Sequence, residues 1–202
     1  MGLFIKRKKD LCERFWKWFN ENEERLFNFQ KEQEKIFDEL TRQLSIIDDN
    51  LTFEFSCVKN DGKREFIISA DGIKSSFSTV EALAEMAPTM ERWTIIKYRP
   101  RRSTLSELNF QGKCVKPEDV YYALFNDDEP SKVGIILFFK DYEVKEKDIW
   151  GQIGFLILDE ALGEYDVEIK LGAIVFESIN SEYFKNAHPL NELQEEFDRC
   201  FS

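Results

Sequence analysis

A chain of 202 residues with 19 phenylalanines, 4 tryptophans and 43% hydrophobic residues can bury a large core, which excludes intrinsic disorder and allows one large domain or two small ones. Its formal net charge of −11 repels phosphate backbones, so general nucleic-acid binding is disfavoured, and so acidic a surface suits either solubility or a basic protein partner. Apolar runs such as Ile153 to Leu158 are far too short to cross a bilayer, so no integral membrane segment is expected.

The chain opens with Leu3-Phe4-Ile5 ahead of the basic run Lys6-Arg7-Lys8-Lys9, the reverse order of a secretory signal. Lys6 stands where a myristoylation pattern needs Ser or Thr. Residues 1–10 are expected to be a flexible basic start, and residues 11–202 a single α+β domain. Over 11–47, Phe15, Phe19, Leu26, Phe29, Ile36, Leu40 and Ile47 recur at spacings of three and four, which predicts one long helix. Trp16, Trp18, Phe27, Phe37 and Leu44 broaden this stripe, and a broad stripe fits a helix lying across a sheet better than a self-associating coil.

A hairpin follows, with Leu51 to Cys57 alternating, Asn60-Asp61-Gly62-Lys63 turning, and Arg64 to Ala70 returning. That alternation places Cys57 on a buried strand face. A helix of roughly Ser78 to Ala87 opens with a capping-box pair, Ser78 and Glu81, and Trp93 to Tyr98 reads as a third strand. After a polar connector over 103–119, the order repeats. Val120 to Phe125 and Val133 to Phe139 are strands, Asp148 to Leu162 is a helix stopped by Gly163, and Val167 to Phe176 is extended with a bulge at Gly172. A last helix, about Pro189 to Phe201 within 186–202, has Leu190, Leu193, Phe197 and Phe201 on one face.

The expected fold class is therefore α+β. A mostly antiparallel mixed sheet is built from a pseudo-duplicated strand-strand-helix-strand unit (51–102 and 110–178), preceded by the long helix 11–47 and closed by the helix 186–202. Apolar residues on both faces of Val133 to Phe139 imply that both sides of the sheet centre are covered, by helices or by a second subunit in a homodimer.

Four segments carry a resemblance: Phe15-Trp16-Lys17-Trp18-Phe19, Ile68-Ser69-Ala70-Asp71-Gly72-Ile73, Arg92-Trp93-Thr94-Ile95-Ile96 with Tyr98-Arg99-Pro100-Arg101, and Asp159-Glu160-Ala161-Leu162-Gly163-Glu164-Tyr165-Asp166. In these the chain resembles an uncharacterised family of bacterial cytosolic proteins with no assigned activity. The resemblance implies a bacterial source and a cytoplasmic setting, and transfers no site residue.

The chemistry-bearing residues are sparse. Cys12, Cys57, Cys114 and Cys200 are far apart and form no C-x-x-C pair, so they read as reduced thiols of a cytoplasmic protein and no metal is expected. The lone histidine, His188, precedes Pro189 and suits a surface or helix-start role. Gly112-Lys113 lacks the upstream glycine of a phosphate loop, and Gly151 and Gly154 suit close packing of a helix on a sheet. Asp127-Asp128-Glu129 could hold a hard cation but sits in a Pro-containing turn, which favours a solvated loop. Asp159, Glu160, Glu164 and Asp166 crowd a helix C-terminus, where negative charge is unfavourable unless a basic neighbour offsets it.

The sharpest local contrast is the basic run Lys97-Tyr98-Arg99-Pro100-Arg101-Arg102. Tyr98, Arg99, Arg101 and Arg102, with Glu164 and Asp166, are the candidate ligand- or partner-binding residues. No acid, base and nucleophile set assembles, so no catalytic residue and no cofactor is expected. The leading reading is a non-enzymatic cytoplasmic protein that binds a protein partner or itself. The alternative is a small-molecule or anion pocket, which could be enzymatic, built on the Tyr98 to Arg102 patch.

Overall fold

The computed structural model describes residues 2–202, with side chains described from Arg7 onward. It divides into two compact units, Met1–Arg99 and Pro100–Ser202, where one domain over 11–202 was expected. The division has a simple cause: each copy of the repeated unit closes its own sheet over its own helices and buries its own core.

Unit 1 starts with helix α1 (Gly2–Glu21), so residues 2–10 are helical rather than a flexible start. The helix expected over 11–47 is broken into α1, a short α2 (Glu23–Phe27), a 3-10 turn (Phe29–Lys31) and α3 (Gln33–Ser45). An asparagine marks the first two breaks: Asn22 Nδ2 donates to Trp18 O and Asn28 Nδ2 to Glu24 O, both at 2.9 Å. A short amide side chain that bonds the carbonyl four residues back competes with the helical ladder. The stripe still faces a sheet, as its breadth predicts.

That sheet has the order β1-β2-β3, from β1 (Thr52–Phe55), β2 (Arg64–Ser69) and β3 (Trp93–Lys97). β1 and β2 are antiparallel with Phe55 opposite Phe66. β2 and β3 are parallel with Phe66 opposite Ile95, and α4 (Phe77–Glu85) makes the crossover that a parallel pair requires. The core centres on Phe66, whose ring centroid lies 5.1 Å from Phe19, 5.5 Å from Phe55, 6.0 Å from Trp16 and 6.2 Å from Phe15. Trp16 also donates from Nε1 to Leu83 O at 2.7 Å, which ties α1 to α4. Cys57 is exposed rather than buried, because β1 ends at Phe55 and the chain has already turned away.

Unit 2 repeats the order. β6 (Val120–Asn126) and β7 (Val133–Phe139) are antiparallel, and β8 (Leu171–Ser178) runs parallel to β7 after α5 (Lys147–Leu162) and α6 (Glu164–Lys170). The pseudo-duplicated strand-strand-helix-strand unit is thus present in both halves, in mixed α+β sheets. Three local expectations give way. The connector over 103–119 contains a small hairpin, β4 (Leu108–Phe110) and β5 (Lys113–Val115), turned by Gln111 and Gly112 at φ of +46° and +80°. The residues 167–170 belong to α6, and the strand begins only at Leu171. The C-terminal helix shrinks to α7 (Leu193–Arg199), because His188–Pro189 instead pairs with β6 as β9.

One face of the unit 2 sheet, carrying Val133, Ile135, Leu137 and Phe139, forms a core with Trp150, Ile153 and Leu158 of α5, Val167 of α6 and Leu193 and Phe197 of α7. On the opposite face Phe138 meets Phe184 at 5.5 Å, so a 3-10 turn (Glu182–Asn186) rather than a helix supplies cover there.

The helix-to-sheet approach of α5 depends on Gly154, as its small size suggested. A methyl group added there would lie 2.0 Å from Cε1 of Phe176, whereas one at Gly151 has 3.7 Å. Gly154→Ala is expected to destabilise by about 1–3 kcal/mol through overpacking. Gly151→Ala is expected to be neutral or to stabilise by up to about 1 kcal/mol, since alanine is the better helix former. Urea denaturation of the two variants checks the contrast.

Candidate functional site

The basic run leaves β3 through Tyr98, whose φ of +64° lies in the left-handed region, uncommon for a bulky residue. The conformation is held from three sides. Tyr98 N–H donates to Ile68 O at 2.8 Å, its ring lies 4.6 Å from Phe77, and its hydroxyl lies within hydrogen-bond reach of Phe77 O and Glu81 Oε1. This turn sends Arg99 between two carboxylates of unit 1, Glu54 and Asp71. Burial works against the Arg99 charge, but the bonds to Asp71 and Glu54 outweigh it and hold the guanidinium above its ordinary range. Lys97 faces Glu85 at 3.6 Å.

Arg101 and Arg102 belong to unit 2 and act on the C-terminus of α5. Arg101 Nε donates to Leu162 O at 2.8 Å, Nη1 to Asp198 at 2.9 Å and Nη2 to Asp166. The Arg102 backbone N–H donates to Glu160 O at 2.8 Å, and its side chain lies 3.4 Å from the Glu160 carboxylate. These two residues supply the basic neighbour that the acidic helix end requires, and they satisfy carbonyls that have no partner within the helix. Asp166 lies in the first turn of α6, where negative charge is favourable, and also pairs with Lys170 at 2.9 Å. Glu164 is fully buried at the start of α6.

Of the six candidate residues, Arg101 and Asp166 therefore meet directly, and Glu164 stands two positions from Asp166 on α6. Tyr98 and Arg99 are engaged within unit 1. Each of Lys97, Arg99, Arg101 and Arg102 has a carboxylate partner in its own unit.

Asp127 accepts backbone hydrogen bonds from Glu129 at 2.9 Å and Ala173 at 2.7 Å, and these hold its carboxyl below the usual range. Among the described residues, no group of three or more His, Cys, Asp or Glu is arranged to hold a metal ion. His188 is half exposed, lies 3.7 Å from Glu192, and tilts over the Tyr122 ring. The hydroxyl of Tyr122 donates to Glu196. All four cysteines are free. Among the described residues, no helix is long and apolar enough to cross a membrane.

One surface was not singled out from the sequence. On α5, Ile153, Gly154, Ile157 and Leu158 face the core, while Phe155 (42% exposed) and Leu156 (40%) face solvent. Phe155 meets the ring of Phe176 on edge strand β8 at 5.7 Å. Asp148 and Gln152 continue this outward stripe toward the helix start and Asp159 toward its end. The signal was present: six consecutive apolar or small residues on a helix cannot all face one core, so the middle pair must point out.

No family model matches the chain, nor does any curated protein or solved structure.

Two outcomes are expected. Arg101→Ala loses a charge-assisted helix cap and two ion pairs in one step, which should cost about 1–3 kcal/mol. Arg101→Lys should restore less than half of that, since an ammonium cannot fork to three acceptors. Thermal melts of both variants check this. For Asp127, a folded-state pKa below the unfolded value gives stability that is present above the unfolded value, about 3.9, and is lost as pH falls through the folded one. The stability gap between the wild type and Asp127→Asn should therefore be full at pH 7 and close in that acid window, as read by denaturation at stepped pH.

Proposed function

We propose that the chain is a non-enzymatic cytoplasmic interaction protein that takes a basic protein partner on the outer face of α5. The observation that carries this reading is the exposed pair Phe155 and Leu156 in an acidic surround. Large apolar groups rimmed by polar ones are the usual make-up of a protein-binding surface. Asp148 and Asp159 flank the pair, and the chain's net charge of −11 favours fast encounter with a cationic partner. The same charge weighs against a second copy as the occupant, because two acidic chains repel. The arginines of the Tyr98 to Arg102 run are paired with carboxylates, which leaves the anion-pocket reading on that patch with less support. Four free cysteines, three of them exposed, accord with a reducing compartment. A bacterial source rests on the family resemblance.

The test is the double substitution Phe155→Glu/Leu156→Glu. Phe155 gives up its edge contact with Phe176, so stability should fall by about 1–2 kcal/mol while the fold is kept. Wild-type protein used as bait in an extract of its source cells should retain a basic protein that is released by salt and is absent from the double variant. Equal retention by both baits would overturn the proposal. So would a dimer in sedimentation velocity that the double substitution dissociates, because the face would then belong to a second copy.

A further inference from the structure

Arg64 opens β2, and the fold treats it unlike the arginines of the basic run. Its side chain is only 3% exposed, yet no described carboxylate pairs with it. Nη1 donates to Ser56 O, while Nε has no acceptor among the described residues. Burial pulls the guanidinium below its ordinary range, and the neighbour acting on it is the Cys57 thiol rather than an acid.

A second orphan donor stands beside it. The parallel register of β2 and β3 makes Trp93 the direct partner of Arg64, and neighbours across a sheet share a face. Trp93 is 4% exposed, and its indole Nε1 also has no acceptor among the described residues. Aromatic rings wall the pair. The Arg64 Cζ lies 4.8 Å from the Phe29 centroid and 5.3 Å from that of Phe27, and the Trp93 ring lies 5.7 Å from Phe27 and 4.9 Å from Phe55. Arg92 also stacks on Phe27, at 4.5 Å, but Glu23 and Glu24 take its charge.

Buried polar groups are normally bonded and buried charges normally paired. Water could accept hydrogen bonds from these donors but would leave the charge uncompensated. An anion answers both demands. A planar guanidinium fork matches a carboxylate, and aromatic rings packed around the donors favour a planar group over a tetrahedral one. We propose that Arg64 and Trp93 form a receptor for the carboxylate of a small organic acid, with Phe27, Phe29 and Phe55 as its walls. Entry is over Phe29. Its three-residue turn lies between two helices with no side-chain cap at either end, so it is the wall that yields at least cost.

The experiment uses the full chain, labelled with ¹⁵N, in which the Arg64 Nε–H and Trp93 indole N–H signals report on the two donors directly. Trp93→Phe assigns the indole signal among the four tryptophans. Acetate and benzoate are titrated separately, with sulfate and chloride at matched ionic strength. Both signals should move together and saturate with the carboxylates. Trp93→Phe should weaken binding by roughly tenfold or more, as expected for loss of one hydrogen bond to a charged group. Arg64→Lys should abolish saturation; if that variant does not fold, Trp93→Phe carries the comparison. Signals that ignore the carboxylates, or follow ionic strength equally with chloride, overturn the proposal. Saturation by sulfate alone overturns the carboxylate class.

Discussion

The parallel strand pair in each unit is the constraint from which most of the structure follows. An antiparallel hairpin can close on a short turn, but a parallel partner needs a crossover, and in both units that crossover is helical. Register then decides which side chains become neighbours. In unit 1 it sets Arg64 against Trp93 and Phe66 against Ile95. In unit 2 it sets Leu137 against Phe176, and the Phe176 ring fills the space that Gly154 leaves on α5. One topological choice thus yields an aromatic core in the first unit, a helix pressed on a glycine in the second, and the adjacency of two buried donors.

Charge is distributed with the same economy in one place and without it in another. Arg101 and Arg102 reach α5 at the end where backbone carbonyls and carboxylates concentrate negative potential. Arg99 is held between Glu54 and Asp71. Each converts an apparent basic patch into internal mortar. Arg64 departs from this pattern, since stacking on aromatic rings offsets only about 0.5–2 kcal/mol, whereas an unpaired buried ion costs several. A residue that breaks the pairing habit of its own chain is where a site is to be sought.

The repeated strand-strand-helix-strand order was legible because its signals are local: the Asp61-Gly62 turn, the alternating strands, and Gly163 at the end of α5 at φ +81°. The failures arise where side-chain bonds, some local and some tertiary, overrode the hydrophobic pattern. The stripe over 11–47 is continuous in hydrophobicity, but Asn22 and Asn28 bond back to carbonyls and break the backbone that carries it. Residues 167–170 look extended, yet ion pairs from Asp166 to Arg101 and Lys170 favour helix. His188 and Pro189 resemble a helix start but find an open edge at β6. The internal pairing of Arg99 and Arg101 was equally invisible, because Glu54 and Asp198 lie 45 and 97 positions away.

The break that defeats the long-helix reading is also what gives unit 1 its unusual feature. In one continuous helix, Phe27 and Phe29 would project on different sides, about 200° apart at 100° per residue. With the ladder interrupted at Asn28, both rings come to lie on the same guanidinium. The interruption costs helical hydrogen bonds and leaves the ends of the turn without side-chain caps. A structural arginine would not need this arrangement, since a single aspartate at any of the surrounding positions would neutralise it more simply. The sequence instead surrounds Arg64 with phenylalanine and tryptophan. That combination excludes competing protein acids and keeps the cation available for an acid that comes from outside the chain.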